Sequence, residues 1–210
     1  MAKRLAGKPV RLPGPYRGLT IGLVGGAFDP PHEGHQHVVE IARKRLRLDW
    51  IWVTPASDHP FKPNASAYPD RVRAAREALS GPRTRIAAIE GALGVTCTRD
   101  LLAHLKRRAP GARFIWIMGA DNAISFHRWK AWKAIASQVP IAIVSRPGAS
   151  PKAGLSRLAR EFSGARLAQE QAGSLSLRRP PAWIYLSAPL NPASSTRLRI
   201  TPSHGVRERR

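Results

Sequence analysis

Short apolar runs alternate with amphipathic stretches along this chain. Each run is five or six residues long and contains β-branched or aromatic residues, which is typical of strands buried on both faces of a parallel sheet. The stretches between the runs have apolar residues at helical spacing. This alternation predicts an α/β protein with a parallel sheet. The predicted strands are residues 19–24, 50–54, 85–89, 113–118, 140–144 and 182–186.

The stretches between the strands predict helices of different lengths. Thr98 is a candidate N-cap for a helix over residues 99–107, because its hydroxyl can accept a hydrogen bond from an N–H group of the first turn. Pro110 and Gly111 would end that helix. Other helices are predicted at about 35–48, 69–79, 122–126 and 130–136, with a partial pattern near 155–162.

Charge and loop-forming residues divide the chain into three segments. Residues 1–18 contain five basic side chains, no acidic one and the sequence Pro13-Gly14-Pro15, so we expect a basic, flexible N-terminal arm. Residues 19–200 carry all the predicted strands and suit a single α/β domain. Residues 201–210 form a short polar tail.

The composition is strongly basic. A formal charge of +22 and a pI near 11.7 would suit a nucleic-acid partner. The basic runs fall at predicted helix ends, loops and termini, however, and aromatic residues are not interleaved with them as base-stacking would require. Solvated basic faces are therefore the favoured interpretation. With no apolar membrane span, no signal-peptide core and one cysteine, Cys97, we expect a soluble cytoplasmic protein.

A glycine- and histidine-containing segment follows the first predicted strand. Residues 25–35 read Gly-Gly-Ala-Phe-Asp-Pro-Pro-His-Glu-Gly-His. Gly25 and Gly26 would let backbone N–H groups approach a phosphate, and His32 and His35 would add two imidazole donors at a helix entrance. A zinc-protease motif is excluded, because it needs histidines four residues apart. A looser zinc site that adds His37, or an ordinary turn with surface histidines, remains an alternative.

Further motifs follow the other predicted strands. They are Pro60-Phe61-Lys62, Gly119-Ala120-Asp121 and Ser194-Ser195-Thr196-Arg197-Leu198-Arg199. The carboxyl ends of parallel strands share one edge of the sheet, and ligands of open α/β sheets bind there, where the strand order reverses. We therefore expect these motifs to converge on one crevice.

Together these motifs resemble the His-x-Gly-His nucleotidylyltransferase superfamily and, within it, the bacterial nicotinate-mononucleotide adenylyltransferases. The resemblance covers about residues 19–200 and includes Trp129 after the Gly-x-Asp motif. It implies a single domain with a Rossmann-like, doubly wound parallel sheet. It also implies transfer of the adenylyl group of ATP to nicotinate mononucleotide, with release of pyrophosphate, formation of deamido-NAD and no covalent enzyme intermediate.

The resemblance implies roles for individual residues. His32, His35 and Arg199 would be catalytic, and Mg²⁺ would be held mainly by ATP phosphates, with no protein ligand assigned. Trp129 would stack on the pyridinium ring of the acceptor. The expected ATP-binding residues are Gly25, Gly26, Phe28, His32, His35, Gly119, Asp121, Ser195, Thr196 and Arg199. The expected acceptor-binding residues are Lys62, Thr98, Trp129 and Arg146.

The chain departs from the family pattern in three places. Cys97 replaces a tyrosine, Ala193 replaces a larger aliphatic residue, and the segment after the last motif is short and polar. The alternatives are another enzyme of the superfamily, with nicotinamide mononucleotide or phosphopantetheine as acceptor, and a non-catalytic basic protein that binds nucleic acid.

Overall fold

Seven parallel strands form one sheet in the part of the chain that this computed structural model describes, residues 10–58, 65–146 and 150–187. They are β1 (Thr20–Gly26), β2 (Trp50–Pro55), β3 (Thr84–Ile86), β4 (Arg113–Gly119), β5 (Ile141–Val144), β6 (Arg166–Leu167) and β7 (Trp183–Leu186). The strand order is β3-β2-β1-β4-β5-β7-β6, and every pairing is parallel. The order reverses between β1 and β4, which is where such sheets bind ligands.

Helices cover both faces of the sheet. They are α1 (Glu33–Arg45), α2 (Tyr68–Leu79), α3 (Ile89–Leu93), α4 (Thr98–Arg108), α5 (Ala120–Ser125), α6 (Trp132–Ala136), α7 (Ser150–Gly154) and α8 (Arg157–Glu161). Short 3₁₀ segments cover Phe126–Arg128, Ser163–Ala165 and Gln169–Leu177. The Rossmann-like, doubly wound parallel sheet predicted from the sequence is therefore confirmed. No helix of the described residues is long and apolar enough to span a membrane.

The core consists of two apolar layers, one on each face of the sheet. Alternate residues of a strand point to opposite faces, so Trp116 of β4 joins one layer while Ile115 and Ile117 join the other. Helices α3 to α8 pack on the Trp116 face, and α1, α2 and the segment 169–177 pack on the opposite face. Because both faces are covered, the strands are apolar at nearly every position.

Three local predictions need correction. The third strand ends at Ile86, and Ile89 begins α3 instead of ending the strand. Thr98 is not an N-cap: it is the first residue of α4, the cap position belongs to Cys97, and no side chain caps the helix. Residues 163–177, for which no regular structure is predicted, contain β6 and two 3₁₀ segments. β6 and the 3₁₀ segment before it contain too few residues to show a periodicity.

The second half of the predicted N-terminal arm also differs from expectation. Val10, Leu12 and Tyr16 are partly buried against the core. The N–H group of Gly18 donates to the carbonyl of Gly111 at 2.7 Å. Apolar side chains spaced between the basic ones therefore attach residues 10–18 to the domain, whereas residues 1–9 lie outside the described part.

Candidate functional site

A cavity of about 290 Å³ opens at the carboxyl ends of β1 and β4, where the strand order reverses. Its walls come from the loops after β1, β2 and β4 and from the start of α4. The predicted site residues that line it are Gly25, Gly26, Phe28, His32, His35, Thr98, Gly119, Asp121, Trp129 and Arg146. Lys62, Ser195, Thr196 and Arg199 lie outside the described residues. Motifs distant in the sequence thus meet at one place.

Gly25 allows β1 to lie directly against a tryptophan. A Cβ atom at Gly25 would lie 2.3 Å from Cη2 of Trp116, a distance that real side chains do not reach. The ring of Trp116 also meets Trp129 edge to face, with ring centroids 6.2 Å apart. The glycine therefore gives the indole of Trp116 its place in the cavity wall.

The loop after β1, residues 27–32, has an unusual conformation at Phe28. This residue is buried and has φ of +50°, in the left-handed region that bulky side chains rarely adopt. Its ring lies 4.9 Å from that of His35, measured between centroids. Such a conformation persists only where surrounding contacts hold it, and it is frequent at functional sites.

The two histidines form a reciprocal cap at the start of α1. The N–H group of Gly34 donates to Nδ1 of His32 at 3.1 Å, and the N–H group of His32 donates to Nδ1 of His35 at 3.2 Å. A ring nitrogen that accepts a hydrogen bond carries no proton, so the proton of each neutral ring lies on Nε2. The rings lie 3.9 Å apart between centroids, so the site holds two neighbouring Nε2–H donors.

Gly119, Asp121 and Arg146 form a second polar part of the cavity. The Nε atom of Arg146 lies 3.9 Å from Oδ1 of Asp121, with the arginine buried and the aspartate half exposed. A Cβ atom at Gly119 would lie 2.4 Å from Oδ1 of Asp121 and 3.0 Å from Nε of Arg146. The absence of a side chain at Gly119 therefore makes room for this ion pair at the end of β4.

Trp129 follows the 3₁₀ turn after α5 and packs against another aromatic ring. Its ring meets that of Phe126 at 5.3 Å, edge to face. Arg128 and Lys130 also line the cavity. Across from this segment, Cys97 approaches the carbonyl of Lys130, with 3.8 Å between Sγ and O. With Arg146, the cavity thus combines aromatic surface with three cationic residues.

A buried carboxylate also lines the cavity. Glu90 of α3 is 4% exposed, and its Oε2 accepts a hydrogen bond from the N–H group of Ser57 at 3.0 Å. Burial raises the pKa of Glu90 from 4.5 to about 7, although the Ser57 hydrogen bond and the charge of Arg71 both act to lower it. This group therefore changes charge near neutral pH.

Sequence patterns alone missed several of these cavity residues. Trp116 lies within an ordinary apolar strand, so nothing local distinguishes it. Glu90 is an acidic residue directly after a predicted strand, and Arg128 and Lys130 flank the predicted Trp129. The positions of these three residues beside a predicted strand end or a predicted site residue made them candidates, but only the tertiary structure shows that they line the cavity.

The described residues contain no group of three His, Cys, Asp or Glu side chains that could hold a metal ion. His32, His35 and His37 therefore do not form the looser zinc site considered above. The Nδ1 atoms of His32 and His35 are instead occupied by backbone N–H groups.

One protein family and several individual sequences are similar to this chain. Residues 23–200 match the family described as cytidylyltransferase-like. The chain is 43% identical over 183 residues to a protein of Agrobacterium fabrum (strain C58 / ATCC 33970) named "Probable nicotinate-nucleotide adenylyltransferase", covering 86% of this chain and 98% of that protein. It is 43% identical over 183 residues to a Brucella abortus (strain 2308) protein of the same name, covering 86% and 94%.

The fold has solved counterparts. Plasmodium falciparum nicotinic acid mononucleotide adenylyltransferase complexed with NaAD is similar with a TM-score of 0.62 and 16% identity, over 86% of this chain and 82% of that one. The same enzyme complexed with APC gives a TM-score of 0.60 over the same shares. At this identity the likeness concerns the fold. Because of the family match and the similar sequences, the chain belongs to the cytidylyltransferase-like family and, within it, to the nicotinate-nucleotide adenylyltransferases.

Proposed function

We propose that this protein transfers the adenylyl group of ATP to nicotinate mononucleotide, forming deamido-NAD and pyrophosphate as a step of NAD biosynthesis. The observation that carries the proposal is the convergence of His32, His35, Asp121 and Trp129 on one cavity at the switch point of the sheet. The names of the similar sequences support the same activity.

His32 and His35 are assigned to the phosphates of ATP. Attack of the acceptor phosphate on the α-phosphorus increases negative charge on the equatorial and leaving oxygens. Two fixed Nε2–H donors can stabilise that charge without reorganising, because backbone N–H groups already orient both rings. We assign His35 to the transition state. No residue needs to form a covalent bond to the substrate, since direct transfer requires alignment and fixed donors.

Asp121 is assigned to the ribose of ATP. Its half-exposed carboxylate can accept hydrogen bonds from ribose hydroxyls, as acidic residues do in other nucleotide sites of this fold class. Gly25, Gly26, Phe28 and Gly119 line the same cavity at the ends of β1 and β4, and we assign them to the nucleotide as well.

Trp129 and Thr98 are assigned to the acceptor. The indole of Trp129 offers an aromatic face of the cavity, which suits a pyridinium ring through stacking and a cation–π contribution. Thr98 begins α4, an 11-residue helix, so its hydroxyl and the first N–H groups of the helix suit the carboxylate of nicotinate. We also assign the guanidinium of Arg146 to the negative charge of the acceptor.

The remaining assignments fall outside the described residues. We assign Lys62 to a substrate phosphate and Ser195, Thr196 and Arg199 to the β- and γ-phosphates, on the motif resemblance. Bound Mg²⁺ would neutralise phosphate charge. We expect phosphate oxygens and water to be most of its ligands, since the described residues contain no cluster of three His, Cys, Asp or Glu side chains.

A coupled pyrophosphate-release assay tests the proposal. Purified protein, ATP and Mg²⁺ are combined separately with nicotinate mononucleotide, nicotinamide mononucleotide and phosphopantetheine, and the dinucleotide product is identified by mass. The proposal expects the highest kcat/KM with nicotinate mononucleotide. A folded protein that turns over neither mononucleotide would contradict it.

The rival is a basic protein that binds nucleic acid without catalysis. It predicts DNA or RNA binding with a steep salt dependence that persists in His35→Ala. The proposed enzyme instead loses turnover in that variant while it retains its fold, measured by circular dichroism.

We also assign the reaction to the cytoplasm, with no nucleic-acid partner.

A further inference from the structure

Arg71 is a buried cation that the assignments above do not use. It belongs to α2, is 4% exposed and does not line the cavity. Its guanidinium donates hydrogen bonds to four backbone carbonyls. Nη1 reaches Ala27 O and Ala56 O at 2.8 Å each, Nε reaches Ser66 O at 2.9 Å and Nη2 reaches Ser57 O at 3.4 Å.

Three of these carbonyls belong to the loops after β1 and β2, which line the cavity, and the fourth, that of Ser66, precedes α2. Ala27 starts the loop after β1, which continues to Phe28 and His32. Ala56 and Ser57 follow β2, and both Ala27 and Ala56 line the cavity. The N–H group of Ala56 also donates to Gly26 O at 2.9 Å. One side chain thus connects the two loops on the side away from the cavity.

Ser57 is held from a second direction by α3. Its N–H group donates to Oε2 of Glu90 at 3.0 Å, and its hydroxyl donates to the carbonyl of Val95 at 2.6 Å. With the Arg71 contact at its carbonyl, every polar group of Ser57 has a partner. The β2 loop is therefore fixed between α2 and α3.

We propose that Arg71 and Glu90 are positioning residues of the adenylyl-transfer site, which hold the loops after β1 and β2 where the phosphate donors require them. This inference rests on the proposed function. Its physical reason is that donors act on a transition state only when held within a few tenths of an ångström of the correct place. The positive φ of Phe28 shows that the first loop needs such support.

The shape of the guanidinium matters as well as its charge. A planar fork can reach carbonyls from two loops at once, whereas a lysine ammonium is a point charge on a flexible stem and cannot satisfy all four acceptors. Arg71→Lys therefore keeps the charge and loses part of the network. Arg71→Met keeps a stem of similar length and loses every donor.

Hydrogen exchange measures the loops directly and needs no turnover. In Arg71→Lys, we expect amides of peptides covering residues 25–35 and 54–58 to exchange at least tenfold faster, while peptides covering β4 keep the wild-type rate. The matched control is Arg73→Lys, because Arg73 is an exposed arginine of the same helix. Wild-type exchange rates in both loops of a folded Arg71→Lys protein would overturn the proposal.

Kinetics then separate positioning from simple stability. Misplaced donors reduce transition-state stabilisation, so we expect kcat to fall at least tenfold in Arg71→Lys and further in Arg71→Met, with KM for ATP changed much less. A residue that only stabilises the fold would lower the melting temperature and leave kcat per folded molecule unchanged. That result would also overturn the proposal.

Glu90 provides a second pair of variants that does not depend on Arg71. Gln keeps an oxygen that can accept the Ser57 hydrogen bond, whereas Ala removes it. We expect Glu90→Ala to raise exchange at residues 54–58 and to lower kcat several-fold more than Glu90→Gln; equal behaviour of the two variants contradicts the role of Glu90.

If the wild-type protein shows no adenylyl transfer, the proposed function fails, while hydrogen exchange still decides whether Arg71 and Glu90 hold the loops.

Discussion

Replacing Glu90 by glutamine should make the stability of this protein less sensitive to pH. Glu90 is almost fully buried, and burial raises its pKa from 4.5 to about 7. Glutamine has nearly the same shape, cannot ionise and retains an oxygen for the N–H group of Ser57. The substitution therefore removes the charge while it preserves the hydrogen bond.

The sign follows from which state binds the proton. Below pH 4.5 the carboxyl of Glu90 is protonated in the folded and the unfolded chain, so its ionisation costs no stability. Between 4.5 and about 7 the unfolded chain releases the proton and the folded chain keeps it, so the free energy of unfolding falls as the pH rises. Above about 7 the folded protein carries the buried charge, and the loss is complete.

The size of the effect follows from the same pKa values. At about 1.36 kcal/mol per pKa unit, the increase from 4.5 to about 7 corresponds to a loss on the order of 3 kcal/mol. Glu90→Gln avoids that loss. Relative to wild type, the variant should therefore gain on the order of 3 kcal/mol in free energy of unfolding between pH 4.5 and pH 8.

Urea unfolding followed by circular dichroism at pH 5, 6, 7 and 8 measures this difference. The matched control is Glu40→Gln, which removes a carboxylate from the exposed surface of α1 and so accounts for the change in net charge. A difference between Glu90→Gln and wild type that stays constant from pH 5 to pH 8 would refute the assignment of a raised pKa to Glu90.

Three further substitutions test the site. Gly119→Ala would place a Cβ atom 2.4 Å from the Asp121 carboxylate and 3.0 Å from Arg146. We therefore expect the Kd for ATP, measured by calorimetry, to rise at least about tenfold, which corresponds to about 1.4 kcal/mol. An unchanged Kd would contradict a nucleotide at this position. Trp129→Ala should raise KM for nicotinate mononucleotide about tenfold with little change for ATP, and Trp129→Phe should recover part of it; equal KM values would exclude stacking. His35→Ala should lower kcat by roughly 10²–10³, measured by pyrophosphate release, and a kcat within threefold of wild type would remove His35 from the transition state.

Local sequence was sufficient for the fold class and for part of the cavity. The apolar runs identified the central strands because a strand buried on both faces is apolar at nearly every position, as residues 113–118 show. The segment 25–35 indicated a phosphate-binding turn because glycines and histidines adjoin within one loop. Asp121 could be placed near it because the carboxyl ends of parallel strands share an edge, whereas the place of Trp129 followed only from the family resemblance.

Contacts between distant segments were decided only by the tertiary structure. Arg71 reaches Ala27, 44 residues earlier, and Glu90 reaches Ser57, 33 residues earlier, so no local pattern could pair them. The proton positions on His32 and His35 depend on backbone N–H groups whose direction exists only in the folded loop. The sequence by itself determined which chemical groups are available, since periodicity and short motifs are local properties. Their tautomer, pKa and spacing came from tertiary packing, because these depend on neighbours that only folding brings together.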